Sequence, residues 1–84
     1  MTPRQQAQDG VRMIQQAVLQ LIREHGPMQP HKVGDALGLR WQLGEGGAWC
    51  GIVYDIMLRM ADTGQLTKDL VLRPKYSLGP ASTR

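Results

Sequence analysis

The chain has 84 residues and carries 10 Lys and Arg against 7 Asp and Glu, a formal charge of +3 with an isoelectric point near 9.5. That length holds one small domain, burying about 60–65% of the surface its unfolded state exposes, so its stability must come from one core. A single cysteine, Cys50, excludes an internal disulfide, and no apolar run approaches the roughly 18–20 residues of a membrane span. The polar start, Met1 to Gln6, has no apolar centre of the kind a signal peptide carries. Composition therefore predicts a folded protein of a reducing, cytoplasmic, bacterial or phage setting, whose mild basic excess permits a polyanionic partner without demanding one.

The first segment predicts a helix. Ala7, Val11, Ile14, Val18, Leu21 and Ile22 recur at spacings of three and four and form one apolar stripe. Thr2, Pro3 and Gln5 supply a cap, a first-turn proline and a reciprocal capping residue, while Gly26 and Pro27 mark the stop. Gly10 costs about 1 kcal/mol relative to alanine inside a helix, so residues 1–10 are expected as a polar segment that extends the helix and frays. A brief extended piece around Met28 leads to a short helix from Pro30 to Gly38, with Val33, Ala36 and Leu37 facing the core.

Residues 40–47 are glycine-rich, carry Trp41 and predict a long loop. From Ala48 to Thr63 a third helix is expected, with Trp49, Ile52, Val53, Ile56, Met57 and Met60 inward and Gly64 as its left-handed stop. Gln65 to Leu78 predicts a hairpin whose Leu66, Tyr76 and Leu78 point inward, followed by a flexible tail, residues 79–84. The domain proper is thus expected over residues 11–78, mainly α with a small β-hairpin.

Val33-Gly34-Asp35-Ala36-Leu37-Gly38-Leu39 resembles the second helix and turn of many bacterial winged helix-turn-helix domains. Val53 to Leu66 is similar to the end of their third helix and the opening of the wing, and Lys75-Tyr76-Ser77-Leu78 to the returning wing strand. The resemblance implies three helices plus a wing and a DNA-binding module whose third helix enters the major groove while the wing touches the backbone, ordinarily in transcriptional regulation. Fold alone does not settle the role, since such domains also dock proteins.

Two features depart from that pattern. The turn before the third helix is stretched by Arg40 to Gly47, and the open face of the helix offers Tyr54, Asp55, Leu58, Arg59 and Asp62. Base edges are read mostly by Arg, Lys, Asn and Gln, of which only Arg59 is present there. Lys32, Arg40, Lys68, Arg73 and Lys75 are the candidate phosphate ligands for double-stranded DNA. Backbone amides at Gly47 and Ala48, at the expected helix start, would add an anion cradle, with Trp41 and Gln42 approaching a groove. The alternative is a protein-interaction module or homodimer using Trp41, Tyr54 and Leu58.

Enzymatic chemistry finds little to work with. His25 and His31 flank a short loop without paired cysteines, which does not make a metal site. Gly44-Glu45-Gly46-Gly47 lacks the Gly-Lys-Ser/Thr that ends a nucleotide-binding loop. The carboxylates are dispersed, and Cys50 reads as a packing residue. The sequence accordingly predicts no enzyme, no cofactor, no metal, no membrane association and no small-molecule substrate.

Overall fold

The computed structural model describes residues 2–43, 47–49, 51–69 and 74–82; for residues 41–43, 47–49 and 82 it describes the backbone. Helix α1 (Pro3–His25) opens on a complete capping box. The Gln5 amide donates to Thr2 Oγ1 at 3.2 Å, and the Thr2 amide donates to Gln5 Oε1 at 3.2 Å. Two of the donors left over at a helix start are thereby satisfied. The helix runs unbroken through Gly10, where fraying was expected.

Helix α2 (Pro30–Leu37) begins at a first-turn proline and ends at Gly38 in the left-handed region, φ 69°. The Gly38 amide donates to Asp35 O at 3.2 Å and the Leu39 amide to Gly34 O at 2.8 Å. This paired closure satisfies the last carbonyls of the helix and turns the chain. Gly64 ends α3 (Gly51–Asp62) the same way, at φ 84°, with the Gly64 amide on Ala61 O and the Gln65 amide on Met60 O.

Between α2 and α3 the structure departs from the sequence reading. Residues expected as a loop, and the expected first turn of the third helix, instead form a hairpin of β1 (Trp41–Leu43) and β2 (Gly47–Trp49). The strands are antiparallel, with Trp41 opposite Trp49 and Leu43 opposite Gly47. Helix α3 therefore starts at Gly51, and Trp49 belongs to a strand and not to the helical stripe. Trp41-Gln42-Leu43 alternates apolar and polar residues, and a glycine-rich stretch of sequence separates it from Gly47-Ala48-Trp49, which favours a ladder over a helical turn.

The second hairpin is the one expected. Strands β3 (Leu66–Lys68) and β4 (Tyr76–Leu78) pair antiparallel, Leu66 opposite Leu78 and Lys68 opposite Tyr76. Met28, in the connection from α1 to α2, joins it as an isolated bridge: the Met28 amide donates to Tyr76 O at 3.0 Å and the Tyr76 amide to Met28 O at 2.8 Å.

All three helices and the β3–β4 hairpin contribute to one core. Val18, Val33, Val53, Met57, Met60 and Tyr76 are fully buried, with Ile22, Ile56 and Leu66 nearly so. Ile14, Leu21, Leu37, Leu39 and Leu58 pack partly against them. Some expected core positions lie outside it: Ala7, Val11, Ala36 and Ile52 are exposed, while Gly34 is buried.

Beyond β4 the chain packs where a free tail was expected. The Gly79 amide donates to Gln65 O at 2.9 Å, and Pro80–Ser82 form a short 3-10 helix (η1) whose Ala81 amide donates to Gly64 O at 3.0 Å. Gly79 is buried so closely that a Cβ there would run into the Gly64 carbonyl.

Two stability effects follow. Ile56→Ala should lower the unfolding free energy by about 2–5 kcal/mol, and Leu21→Ala, half-buried, by clearly less, in urea denaturation. Gly79→Ala should cost more than about 2 kcal/mol in the same assay, because the obstacle is backbone and cannot swing aside.

Candidate nucleic-acid interface

The structure brings some of the candidate cations together and separates others. Lys32 is exposed in the first turn of α2, and Lys75 is exposed immediately before β4. The Met28–Tyr76 bridge draws these two places together, so Lys32 and Lys75 line one shallow hollow with Pro27, Met28 and Gln29. A second, more open hollow adjoins it through Lys32 and is lined by His31, Asp35, Ala36 and Arg40.

Arg40 does not present a free charge. Its Nη1 donates to Asp35 Oδ2 at 2.9 Å and to Oδ1 at 3.2 Å. Arg40 and Asp35 face each other across the turn that closes α2, and both remain substantially exposed. Such a pair contributes about 0–1 kcal/mol to stability, but it cancels the local field of the guanidinium.

Lys68 stands apart from the hollow. It lies directly opposite Tyr76 in the ladder, and paired residues of an antiparallel sheet share a face. Lys75, one residue from Tyr76, belongs to the other face. Asp69 is its neighbour across the ladder, the Asp69 amide donating to the Lys75 carbonyl at 3.1 Å. The five candidate phosphate ligands thus reduce to Lys32 and Lys75 facing one hollow, with Arg40 paired nearby and Lys68 on the opposite side. Arg73 lies outside the described residues.

The expected anion cradle is not at a helix start. Gly47 and Ala48 are in β2, paired with Leu43 and Gln42 of β1. Trp41 and Gln42 lie in β1, where the description extends to the backbone.

The other candidate surface, on α3, divides as well. Tyr54 is 41% exposed, whereas Leu58 packs partly against the core. Ile52 is exposed too, and sequence reasoning had assigned it inward; it lies on the opposite flank of the helix from Tyr54. Asp55, Arg59 and Asp62 are exposed between and around them.

Among the described residues, no group of three or more His, Cys, Asp and Glu is arranged to hold a metal ion. His25 is exposed at the end of α1, 3.9 Å from the Glu24 carboxylate, and His31 is exposed on α2. No described helix is long and apolar enough to cross a membrane. Comparison with family models, curated proteins and solved structures finds no match for this chain.

Burial perturbs the titration of Tyr76. Its ring is fully buried and its hydroxyl has no protein partner. Loss of hydration, and secondarily the neighbouring Tyr54, raise its pKa above the ordinary 10.0. The folded state therefore holds the phenol proton more tightly than the unfolded state. Stability should be unaffected by this group below pH 10 and should fall as pH rises beyond it. Tyr76→Phe should remove that alkaline component and leave neutral-pH stability equal or slightly higher, because it deletes an unpaired buried hydroxyl. Thermal melts of both proteins from pH 7 to pH 11 make the comparison.

Proposed function

We propose that this chain is a winged helix-turn-helix domain that binds double-stranded DNA through the phosphate backbone, with Lys32 at the start of α2 and Lys75 in the wing as its principal ligands. The observation that carries the reading is their convergence on one hollow, from elements far apart in the chain. The order of elements supports the architecture: helix, short bridging strand, helix, helix and hairpin, with Met28 paired to the returning strand. In that arrangement the β1–β2 hairpin is an insertion between the second and third helices.

The contact proposed is positional and not a readout of sequence. Phosphate ligands fix a protein on the duplex, while base edges supply specificity. The exposed face of α3 carries Asp55 and Asp62 beside Arg59 and suits base recognition poorly. The ordinary employment of such a domain is in transcriptional regulation in the cytoplasm, as a binding module and not an enzyme. Docking of a protein through Trp41, Tyr54 and Leu58 has less support, because Leu58 is engaged with the core.

An amide NMR titration with a random-sequence duplex tests the reading, at low salt and then at about 200 mM. Salt-sensitive shifts should cluster at Lys32, Gln29, Met28 and Lys75. Two neutralised phosphates contribute about −1.8 to the slope of log K against log salt, from roughly −0.9 each. Lys32→Glu with Lys75→Glu should abolish that contribution and leave the melting temperature unchanged. Absence of shifts at low salt, or full binding by the double variant, overturns the proposal.

A further inference from the structure

The outer face of α2 carries its charge in one strip. His31 and Asp35, and beside them Lys32 and Ala36, stand one turn apart and line a hollow together with Arg40. Lys32 also lines the hollow that holds Lys75, so the two hollows adjoin through its side chain. Arg40 is thus a third cation beside the two proposed phosphate ligands. Its charge is already matched.

The matching carboxylate is brought to Arg40 by the fold. Gly38 closes α2 in the left-handed region, and the Leu39 amide donates to Gly34 O at 2.8 Å. That turn carries Arg40 back to the end of α2, where Nη1 donates to both oxygens of Asp35, at 2.9 and 3.2 Å. Both bonds leave one nitrogen, so Asp35 does not take the two-nitrogen fork with which Arg holds carboxylate or phosphate most firmly. Both side chains remain substantially exposed, and a pair of this kind adds little to stability. Its consequence lies in competition for a donor. Asp35 is tethered beside Arg40, whereas a phosphate must arrive from solution and meet the Asp35 charge on the way.

We propose that Asp35 stands in for a phosphate at Arg40 and so holds a third backbone ligand away from duplex DNA. The restraint rests on the DNA contact proposed for Lys32 and Lys75, and it limits that contact to two phosphates. Phosphate contacts add affinity without reading sequence, so the pair keeps non-specific binding weak and readily reversible.

Fluorescence anisotropy with a random-sequence duplex, from 50 to 200 mM salt, tests the restraint in the full chain. Asp35→Asn should bind about tenfold more tightly than the parent at the lower salt, and should steepen the salt slope from about −1.8 to about −2.7. Adding Arg40→Gln to Asp35→Asn should return both quantities to the parent values. Asp62→Asn makes the same change of charge outside the hollow and should leave the slope as it is. NMR of the Arg40 Nε–Hε group reads the exchange directly. On addition of duplex its signal should move in Asp35→Asn and stay still in the parent. A parent that binds while Asp35→Asn gains neither affinity nor slope overturns the restraint and leaves the DNA contact standing. A slope gain that survives Arg40→Gln, an equal gain from Asp62→Asn, or an Arg40 signal that moves in the parent also overturns it. Absence of binding by both the parent and Asp35→Asn removes both proposals together.

Discussion

Two hydrogen bonds hold the arrangement of this molecule. Met28 and Tyr76 exchange backbone donors and acceptors, joining the connection between the first two helices to a strand near the far end of the chain. With its backbone so fixed, Tyr76 sends its ring into the core. The same pair sets the position of α2, which begins two residues after Met28, relative to the hairpin. Lys32 and Lys75 are neighbours for that reason. A local backbone pairing therefore underlies both the closure of the core and the only concentration of free positive charge that the candidate ligands produce among the described residues.

Much of the helical framework was legible because its determinants are local. The capping box of α1, the first-turn prolines and the stops at Gly38 and Gly64 each depend on residues within a few positions of one another. The inward faces of α2 and α3 followed from periodicity, with Val33, Val53, Ile56, Met57 and Met60 buried as expected. The β1–β2 hairpin was missed because two signals overlapped. Trp49 stands at helical spacing from Ile52 and Val53, and the glycines around it suggested a loop. The alternation Trp41-Gln42-Leu43, followed by a glycine-rich sequence and a second tryptophan, was the signal available for a ladder, and one triplet is too short to outweigh a longer helical pattern.

What was not legible depended on contacts between distant residues. Nothing near Gly79 in sequence indicates that its Cα must pass against Gly64. The pairing of Arg40 with Asp35 depends on the turn at Gly38 folding the chain back. Lys68 and Lys75 both belong to the β3–β4 hairpin, yet the two-residue period of strands sends them to opposite faces. Grouping cations by element therefore overstated the basic surface, and grouping them by face corrects it. The long stripe of α1 illustrates the converse: periodicity described its direction correctly but not how far the core extends beneath it.

The packing of residues 79–82 also bears on when the protein can fold during synthesis. The carbonyl of Gly64, which ends α3, is held by the amide of Ala81, and Met28 obtains its partners from Tyr76. While residues 76–82 are still within the ribosome, whatever part of the helical framework has emerged lacks the ring that completes its core. Non-local contacts of this kind delay closure until nearly the whole domain has emerged. Folding therefore awaits the emergence of residues 76–82, and until then the apolar faces of α1 and α3 lack the partners that bury them.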